Sequence, residues 1–382
     1  MDSIYFGEEH ELFRSTLRRF IDEEVIPFGD AWEEAGEVPR DVLCKMGALG
    51  FLGIRYPSRY GGAEMDTMGT VILSEELGRS TFGGFAVTVL VHTDMASPHL
   101  ARYGTPEQLD RYMPGITRGE LISAVAVTEP DAGSDVAGIR TRAVRDGDDF
   151  VLNGSKIFIT NGVLADVYFV AAKTNLEVKG SRGVSIFILD RDTPGFTVSR
   201  KLDKMGWRSS DTAELSFQDC RVSTSQLLGE ENRGFYAIMN NFQNERITLA
   251  AQAVGEASKA IELTLDYVTE RKAFGGPLFD LQTIRQRLSM LSAKVEAARQ
   301  FVYYTAWRDA KGDDCVKEVS MAKALCGELV NEVMYTCQQF HGGFGYIREA
   351  PIERMARDAR VQSIGGGATE VMLEEVAKRM VP

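Results

Sequence analysis

The sequence predicts an α+β protein in three consecutive parts: an all-α domain over residues 1–120, a β domain over 121–230 and an α-helical bundle over 231–382. Three observations carry this expectation. Apolar residues recur every three or four positions up to about residue 120, then alternate or cluster in short pieces bounded by turn pairs, and resume the helical period near Gly234. A chain of 382 residues is also long enough for two or three packed units.

In the first part, Leu12, Phe13, Leu17, Phe20, Ile21 and Val25 share one helical face, and Pro27 closes the run. Helical patterns follow at 39–49, 68–77 and 107–117, divided by turns such as Tyr60-Gly61-Gly62. In the second part, apolar pieces at 122–127, 143–144, 150–152, 156–160, 167–172, 184–189 and 213–217 predict strands. Asp146-Gly147 and Asn153-Gly154 are pairs that tolerate positive φ and so predict tight hairpins. In the third part, four long helices are predicted at 235–271, 281–311, 316–339 and 369–380. No repeat, low-complexity tract or long linker interrupts the order.

Composition removes several classes of function. Charged residues at 26% and apolar residues at 44% describe a folded chain and exclude disorder as its overall state. With 43 Lys and Arg against 55 Asp and Glu, the net charge of −12 opposes nucleic acid and anionic membrane as partners. No apolar run approaches the ~20 residues of a membrane span. Cys44, Cys220, Cys315, Cys326 and Cys337 lack CxxC spacing, so neither disulfides nor a metal site is expected, and they read as reduced and mostly buried. Met1-Asp2-Ser3 leads straight into an amphipathic pattern without a basic, apolar leader, so a cytoplasmic location is expected.

The loop from Ala126 to Asp135 joins a strand exit to a proline, a glycine and several hydroxyl or acidic groups. Its backbone N–H groups and hydroxyls can hold a polar ring edge or a phosphate, although turn preferences alone describe it as a surface turn. Thr128 to Asp135 resembles the first signature of the acyl-CoA dehydrogenases, flavoproteins that oxidise a fatty acyl thioester between its α and β carbons. Gly154-Ser155-Lys156-Ile157-Phe158-Ile159-Thr160-Asn161-Gly162 resembles that family's flavin-flanking hairpin. Glu270-Arg271-Lys272-Ala273-Phe274-Gly275, followed by Gln282, resembles its helix-to-helix joint. Gln338 to Tyr346 and Arg357-Asp358-Ala359-Arg360 resemble its second signature. The resemblance covers essentially the whole chain. It implies the acyl-CoA dehydrogenase fold, with a helical N-terminal domain, a β-barrel-like middle domain and a C-terminal four-helix bundle.

What the resemblance implies residue by residue is an FAD site. The flavin would lie against Val125, Val127, Thr128 and Ser134, with Phe158 and Thr160 beside the ring, and Ser134 would also touch the substrate. Arg271, Phe274, Gln282, Gln339 and Gly343 would hold the adenine and pyrophosphate end, some of them for a flavin in a neighbouring subunit, which implies a homotetramer. Chemically, Arg271 offers a forked donor to phosphate, and Gly342-Gly343 lets backbone approach a cofactor closely. Electrons would pass to an electron-transferring flavoprotein.

Oxidation of an acyl-CoA needs a base at Cα while the β hydrogen leaves as hydride. Many members of the family carry that base in a Tyr-Glu-Gly-Thr segment. Here the segment reads Gly365-Gly366-Gly367-Ala368, with Gly366 at the glutamate position. A subset, resembling the isovaleryl-CoA and long-chain acyl-CoA dehydrogenases, supplies the glutamate from a helix in a Glu-Arg pair, and Glu245-Arg246 stands at that place. Glu245 follows Phe242 by three residues and precedes Leu249 by four, so a helix puts it on an apolar face that would raise its pKa. The bland alternative is an exposed glutamate paired with an arginine.

The resemblance sets Arg246, Gly366 and Gly367 against the substrate, the 366 N–H polarising the thioester carbonyl. Ala368 and Glu370 fall on the flavin, Ala368 lacking the hydroxyl that the family's Thr supplies. Glu129 and Glu370 compete weakly as bases, and His92 and His99 are expected to be interior and hydrogen-bonded. Gly365 and Gly366 are expected to leave room for a longer or methyl-branched chain, isoprenoid acids such as citronellyl-CoA included. A flavin oxidase or monooxygenase, a silent acyl-CoA-binding homologue and a scaffold subunit remain as alternatives.

Overall fold

The computed structural model describes residues 4–178 and 180–380, and the opening Met1-Asp2-Ser3 lies outside them. The helices before the first strand are α1 (Glu8–Glu24), α2 (Gly29–Ala35), α3 (Arg40–Ala48), α4 (Thr67–Arg79), α5 (Gly83–Leu90), α6 (Ser97–Tyr103) and α7 (Pro106–Thr117). Six π-helical residues, Val91–Ala96, join α5 to α6. The sequence reading does not anticipate α5, the π turn or α6. Every residue from Gly83 to Ser97 is buried, so no polar face exists to impose a helical period.

The strands β1 (Ser123–Ala126), β2 (Arg142–Asp146), β3 (Asp149–Thr160), β4 (Val167–Lys173), β5 (Val184–Asp190), β6 (Phe196–Lys201), β7 (Thr212–Ser223) and β8 (Leu227–Leu228) form one sheet in the order β6-β7-β3-β2-β4-β5-β8, with β1 parallel to β4. Alternate residues of β4 enter two cores. Val167, Phe169 and Ala171 pack with α7 and the start of the last helical region, while Tyr168, Val170 and Ala172 pack between the strands. Asp146-Gly147 makes the expected turn from β2 to β3, with Gly147 at φ +64°.

Asn153-Gly154 makes no turn, and the pieces expected at 150–152 and 156–160 are one strand. The Asn153 amide exchanges two hydrogen bonds with Asp219, one to its carboxylate at 3.2 Å and one from its N–H at 3.0 Å. That exchange carries β3 across β7 through a register shift rather than ending it.

The C-terminal region is α8 (Gly234–Glu270), a small hairpin of β9 (Lys272–Ala273) and β10 (Gly276–Pro277), then α9 (Gln282–Ala310), α10 (Val316–His341), α11 (Pro351–Ala359) and α12 (Thr369–Ala377). Helices α4, α8, α9, α10 and α11 share one apolar core. Where α4 crosses α8, Gly78 and Gly255 face carbonyls of the opposite helix so closely that a Cβ on either would overlap it. Among the described residues no helix is long and apolar enough to cross a membrane, and no group of three or more His, Cys, Asp or Glu could hold a metal ion. All five cysteines are free, and only Cys44 is exposed.

Candidate active site

Helix α8 carries Glu245 on the face shared by Phe242 and Leu249, and the side chain is 8% exposed. Burial pushes its carboxyl up to about 7, against a hydrogen bond from Asn241 and the charge of Arg246. The Asn241 amide lies 3.0 Å from Glu245 Oε1 and is itself held by the main-chain oxygens of Met95, at 2.9 Å, and Asp94, at 3.3 Å.

The glycine run closes over the same stretch of α8. Gly366 and Gly367 take φ values of +63° and +104°. A Cβ at 366 would overlap Leu249 Cδ1, and one at 367 would lie 3.8 Å from Arg246 Nε. The expected free space at 366 is therefore already filled by Leu249. Room remains at 365, where a Cβ would meet only Val361, at 3.5 Å. Lys323, buried on α10, donates to the main-chain oxygens of Gln362, at 2.8 Å, and Gly367, and so pins the run from below. Arg246 is partly buried, its pKa lowered by that burial, and its Nε has no partner among the described residues. Ala368 caps α12 without a side-chain bond, and Glu370 is exposed in that helix's first turn.

The signature loop lies across the π turn from this cluster. His92 accepts the Ser123 N–H at 3.1 Å, while its Nε2 donates to Ile116 O at 3.0 Å. With burial pushing its pKa down to about 4, His92 is a neutral strut tying the π turn to β1. His99 meets its expectation only in part, because Nδ1 reaches Ala96 O at 3.2 Å while Nε2 is buried without a partner among the described residues.

Beyond β1, Val127 is buried, Val125 and Thr128 are half-buried, and Ser134 is exposed. Thr128 O accepts the Ile157 N–H at 3.0 Å, joining loop to hairpin. Lys156, fully buried, donates to Val127 O at 2.9 Å and to Glu129 Oε1 at 2.7 Å. Glu129 also accepts the Thr141 N–H at 3.0 Å and the Arg140 N–H. It is a buried anchor with no oxygen to spare for substrate. Phe158, at φ +61° in a bulge of β3, is 65% exposed, and Thr160 is half-buried opposite Thr212.

Arg271, Phe274, Gln282, Gln339 and Gly343 occur elsewhere, at one end of the helical bundle, and all are exposed. Tyr267 binds that end together by stacking on His341 and Phe344, at 4.4 and 5.8 Å, and by donating to His341 O at 3.2 Å. Arg271 follows Glu245 by 26 residues, about 39 Å along α8 at 1.5 Å per residue. The expected cofactor residues of the signature loop and hairpin thus lie apart from those of the bundle end, while Ala368 and Glu370 stand at the start of α12.

Family models match the chain in order: the acyl-CoA dehydrogenase N-terminal domain over residues 7–120, the middle domain over 124–220 and the C-terminal domain over 232–381. The chain is 42% identical to the mitochondrial long-chain specific acyl-CoA dehydrogenase of Rattus norvegicus, over 98% of this chain and 87% of that protein. It is 35% identical to the mitochondrial isovaleryl-CoA dehydrogenase of Pongo abelii, over 96% of this chain and 87% of that protein. The crystal structure of an acyl-CoA dehydrogenase from Geobacillus kaustophilus matches with a TM-score of 0.96 and 41% identity over the whole of both chains.

The chain belongs to the acyl-CoA dehydrogenase family. It is an acyl-CoA dehydrogenase, an FAD-dependent oxidoreductase with the three-part fold of that family. The residues of the β face suit such a cofactor. A valine floor, hydroxyls at Thr128, Ser134 and Thr160, and an outward-held phenyl ring at Phe158 match a flat heterocycle with polar edges.

Sequence reasoning missed several groups around this dehydrogenase's site. Asn241 stands one helical turn before Glu245, a spacing that could have pointed to it. Lys323 acts on residues distant in sequence, and Leu249, read from the sequence only as an apolar neighbour of Glu245, also fills the space at 366; no local pattern announces either contact.

Proposed function

We propose that this dehydrogenase oxidises a long-chain or methyl-branched acyl-CoA, isoprenoid thioesters included, to the trans-2-enoyl-CoA, with Glu245 removing the α proton. One observation carries the reading: Glu245 is a buried carboxylate on the stretch of α8 whose Arg246 and Leu249 meet the glycine run, and Leu249 occupies the space that a side chain at 366 would need. A base works best when its pKa lies near the working pH, and burial brings Glu245 to about 7. Val125, Val127, Thr128, Ser134, Phe158 and Thr160 would hold FAD, which when bound would supply the acceptor for the β hydride.

The chain's own residues do the rest. Glu245 takes the proton from Cα in a space that its buried surroundings keep poor in water. The Gly366 N–H polarises the thioester carbonyl and so stabilises charge that develops there. Lys323 holds that donor in place through Gly367 O. Arg246 and Ser134 contact the substrate, while Ala368 and Glu370 border the flavin.

Arg271, Phe274, Gln282, Gln339 and Gly343 grip the adenine and pyrophosphate end of a cofactor bound mainly by another copy, in a homotetramer. Their separation from Glu245 and the 93% exposure of Phe274 support that division. We assign the domains to 1–120, 121–230 and 231–382, with joints between α7 and β1 and between β8 and α8, and take an electron-transferring flavoprotein as the acceptor.

The test is anaerobic flavin absorbance on mixing the holoenzyme with isovaleryl-, citronellyl-, octanoyl- and palmitoyl-CoA, beside Glu245→Gln. Bleaching by a longer or branched thioester, lost in the variant, supports the reading. Binding without bleaching in the native enzyme sinks it, and unimpaired bleaching by the variant moves the base elsewhere.

A further inference from the structure

The π turn between α5 and α6 presents three consecutive main-chain oxygens, and each is taken by a side chain from outside that segment. Tyr56 donates to Thr93 O at 2.6 Å, Asn244 to Asp94 O at 2.8 Å and Asn241 to Met95 O at 2.9 Å. A π turn displaces the ordinary helical donors from its carbonyls, and such turns gather at functional sites. Asn244 and Asn241 both come from α8, and only Asn241 goes on to touch Glu245.

We propose that Asn241 is the positioning residue of the base: its amide ties the Glu245 carboxylate to the carbonyls of the π turn, so the backbone geometry of residues 91–96 sets the orientation of that carboxylate. This inference rests on the reading of Glu245 as the base. The amide has two hydrogens and three acceptors within reach, and Asp94 O, the farthest at 3.3 Å, already has Asn244. One N–H is therefore committed to Met95 O. Because the amide is planar, the other is aimed at Glu245 Oε1, 3.0 Å away. The spacing of four residues on α8 puts both side chains on one face.

A donor to a carboxylate favours its charged form, so the bond opposes the burial of Glu245. Of the surrounding charges, Arg246, beside it on α8, acts on Glu245 itself. Arg246 in turn interacts with Glu375 of α12, with Arg379 just beyond that helix and with Lys323 of α10. Asp94 of the π turn is engaged by Thr70, Thr93 and Asn244.

The experiment is the anaerobic reductive half-reaction of the holoenzyme with a bleaching thioester, followed from pH 5.5 to 9. It compares the native enzyme with Asn241→Leu, Asn244→Ala and Glu245→Gln. In Asn241→Leu the pH midpoint should rise by about one unit and the limiting rate should fall about tenfold or more, with thioester affinity unchanged. Asn244→Ala, which loses a carbonyl cap without touching Glu245, should melt earlier yet keep the native midpoint.

A midpoint and limiting rate in Asn241→Leu within twofold of native overturn the proposal, and so does an equal midpoint shift in Asn244→Ala. Inactivity of Glu245→Gln in the same series leaves the base reading standing when the positioning role fails, whereas bleaching by Glu245→Gln removes the base reading itself. If Asn241→Leu does not accumulate as holoenzyme, Asn241→Gln carries the same comparison, since it keeps the amide but displaces it by one methylene.

Discussion

Glu245 lies on α8 and Arg271 directly follows its last residue, yet the two occupy opposite kinds of surroundings. Around Glu245 the chain supplies almost everything itself: Asn241 on the carboxylate, Leu249 over the glycine run, Lys323 beneath it and the π turn behind. Around Arg271 the chain supplies a frame and little else, with Phe274 93% exposed and Gln282, Gln339 and Gly343 open to solvent. On the proposed reading, the proton-removing half of the site is complete within one chain, whereas the half assigned to the cofactor tail is open and would be completed by a flavin bound mainly in another copy.

Removing the carboxylate strikes the enclosed half hardest. Glu245→Gln should lower the rate of flavin reduction on the order of 10^4-fold while leaving thioester affinity near native, as measured by stopped-flow absorbance and equilibrium titration. Next in size is relocation of the base. Glu245→Gly with Gly366→Glu should stay as inactive as Glu245→Gln, because a Cβ at 366 overlaps Leu249 and the backbone there sits at φ +63°. Adding Leu249→Ala should recover at least about tenfold in the same assay, since it removes the steric part of the obstacle and leaves the backbone part. Recovery without that third change would show that Leu249 moves aside freely.

The open half should respond differently. Arg271→Ala or Phe274→Ala should weaken FAD retention by about 10- to 100-fold, measured as flavin released on dilution, with the reduction rate at saturating FAD within about twofold of native. A change in the reduction rate alone would erase the contrast between the two ends.

The smallest effect concerns pH. Burial raises Glu256 to about 8 and Asp358 to about 7, alongside Glu245. For carboxyls whose folded pKa exceeds the unfolded value, near 4.5 for Glu and 3.8 for Asp, the stability they contribute is full below that value and is lost as pH rises through about 7 to 8. Tm should fall by a few degrees between pH 6 and 9, and Glu256→Gln should flatten that slope. A slope unchanged in Glu256→Gln would place the titrating group elsewhere.

The sequence made the three-part architecture legible because the half-buried helices and the strands impose different apolar periods, as Leu17, Phe20 and Ile21 show in α1. It left α5 and the π turn unread because those residues are buried on every side. Asn153-Gly154 misled because its usual meaning is local, while the Asn153 amide is satisfied by Asp219 on another strand. Glu245 could be singled out from Phe242 and Leu249 on its own helix. What surrounds it could not, because Met95 reaches Asn241 across 146 residues and Lys323 reaches Gly367 across 44.

Helix α8 also fixes an angular phase. At 100° per residue, the 26 steps from Glu245 to Arg271 bring the chain around seven full turns and about 80° more. One residue inserted anywhere between them would swing the far group by about 100° while moving it only about 1.5 Å along the axis. The relative aim of the two ends is therefore set by a residue count, and it tolerates substitution along the helix far better than any change of length.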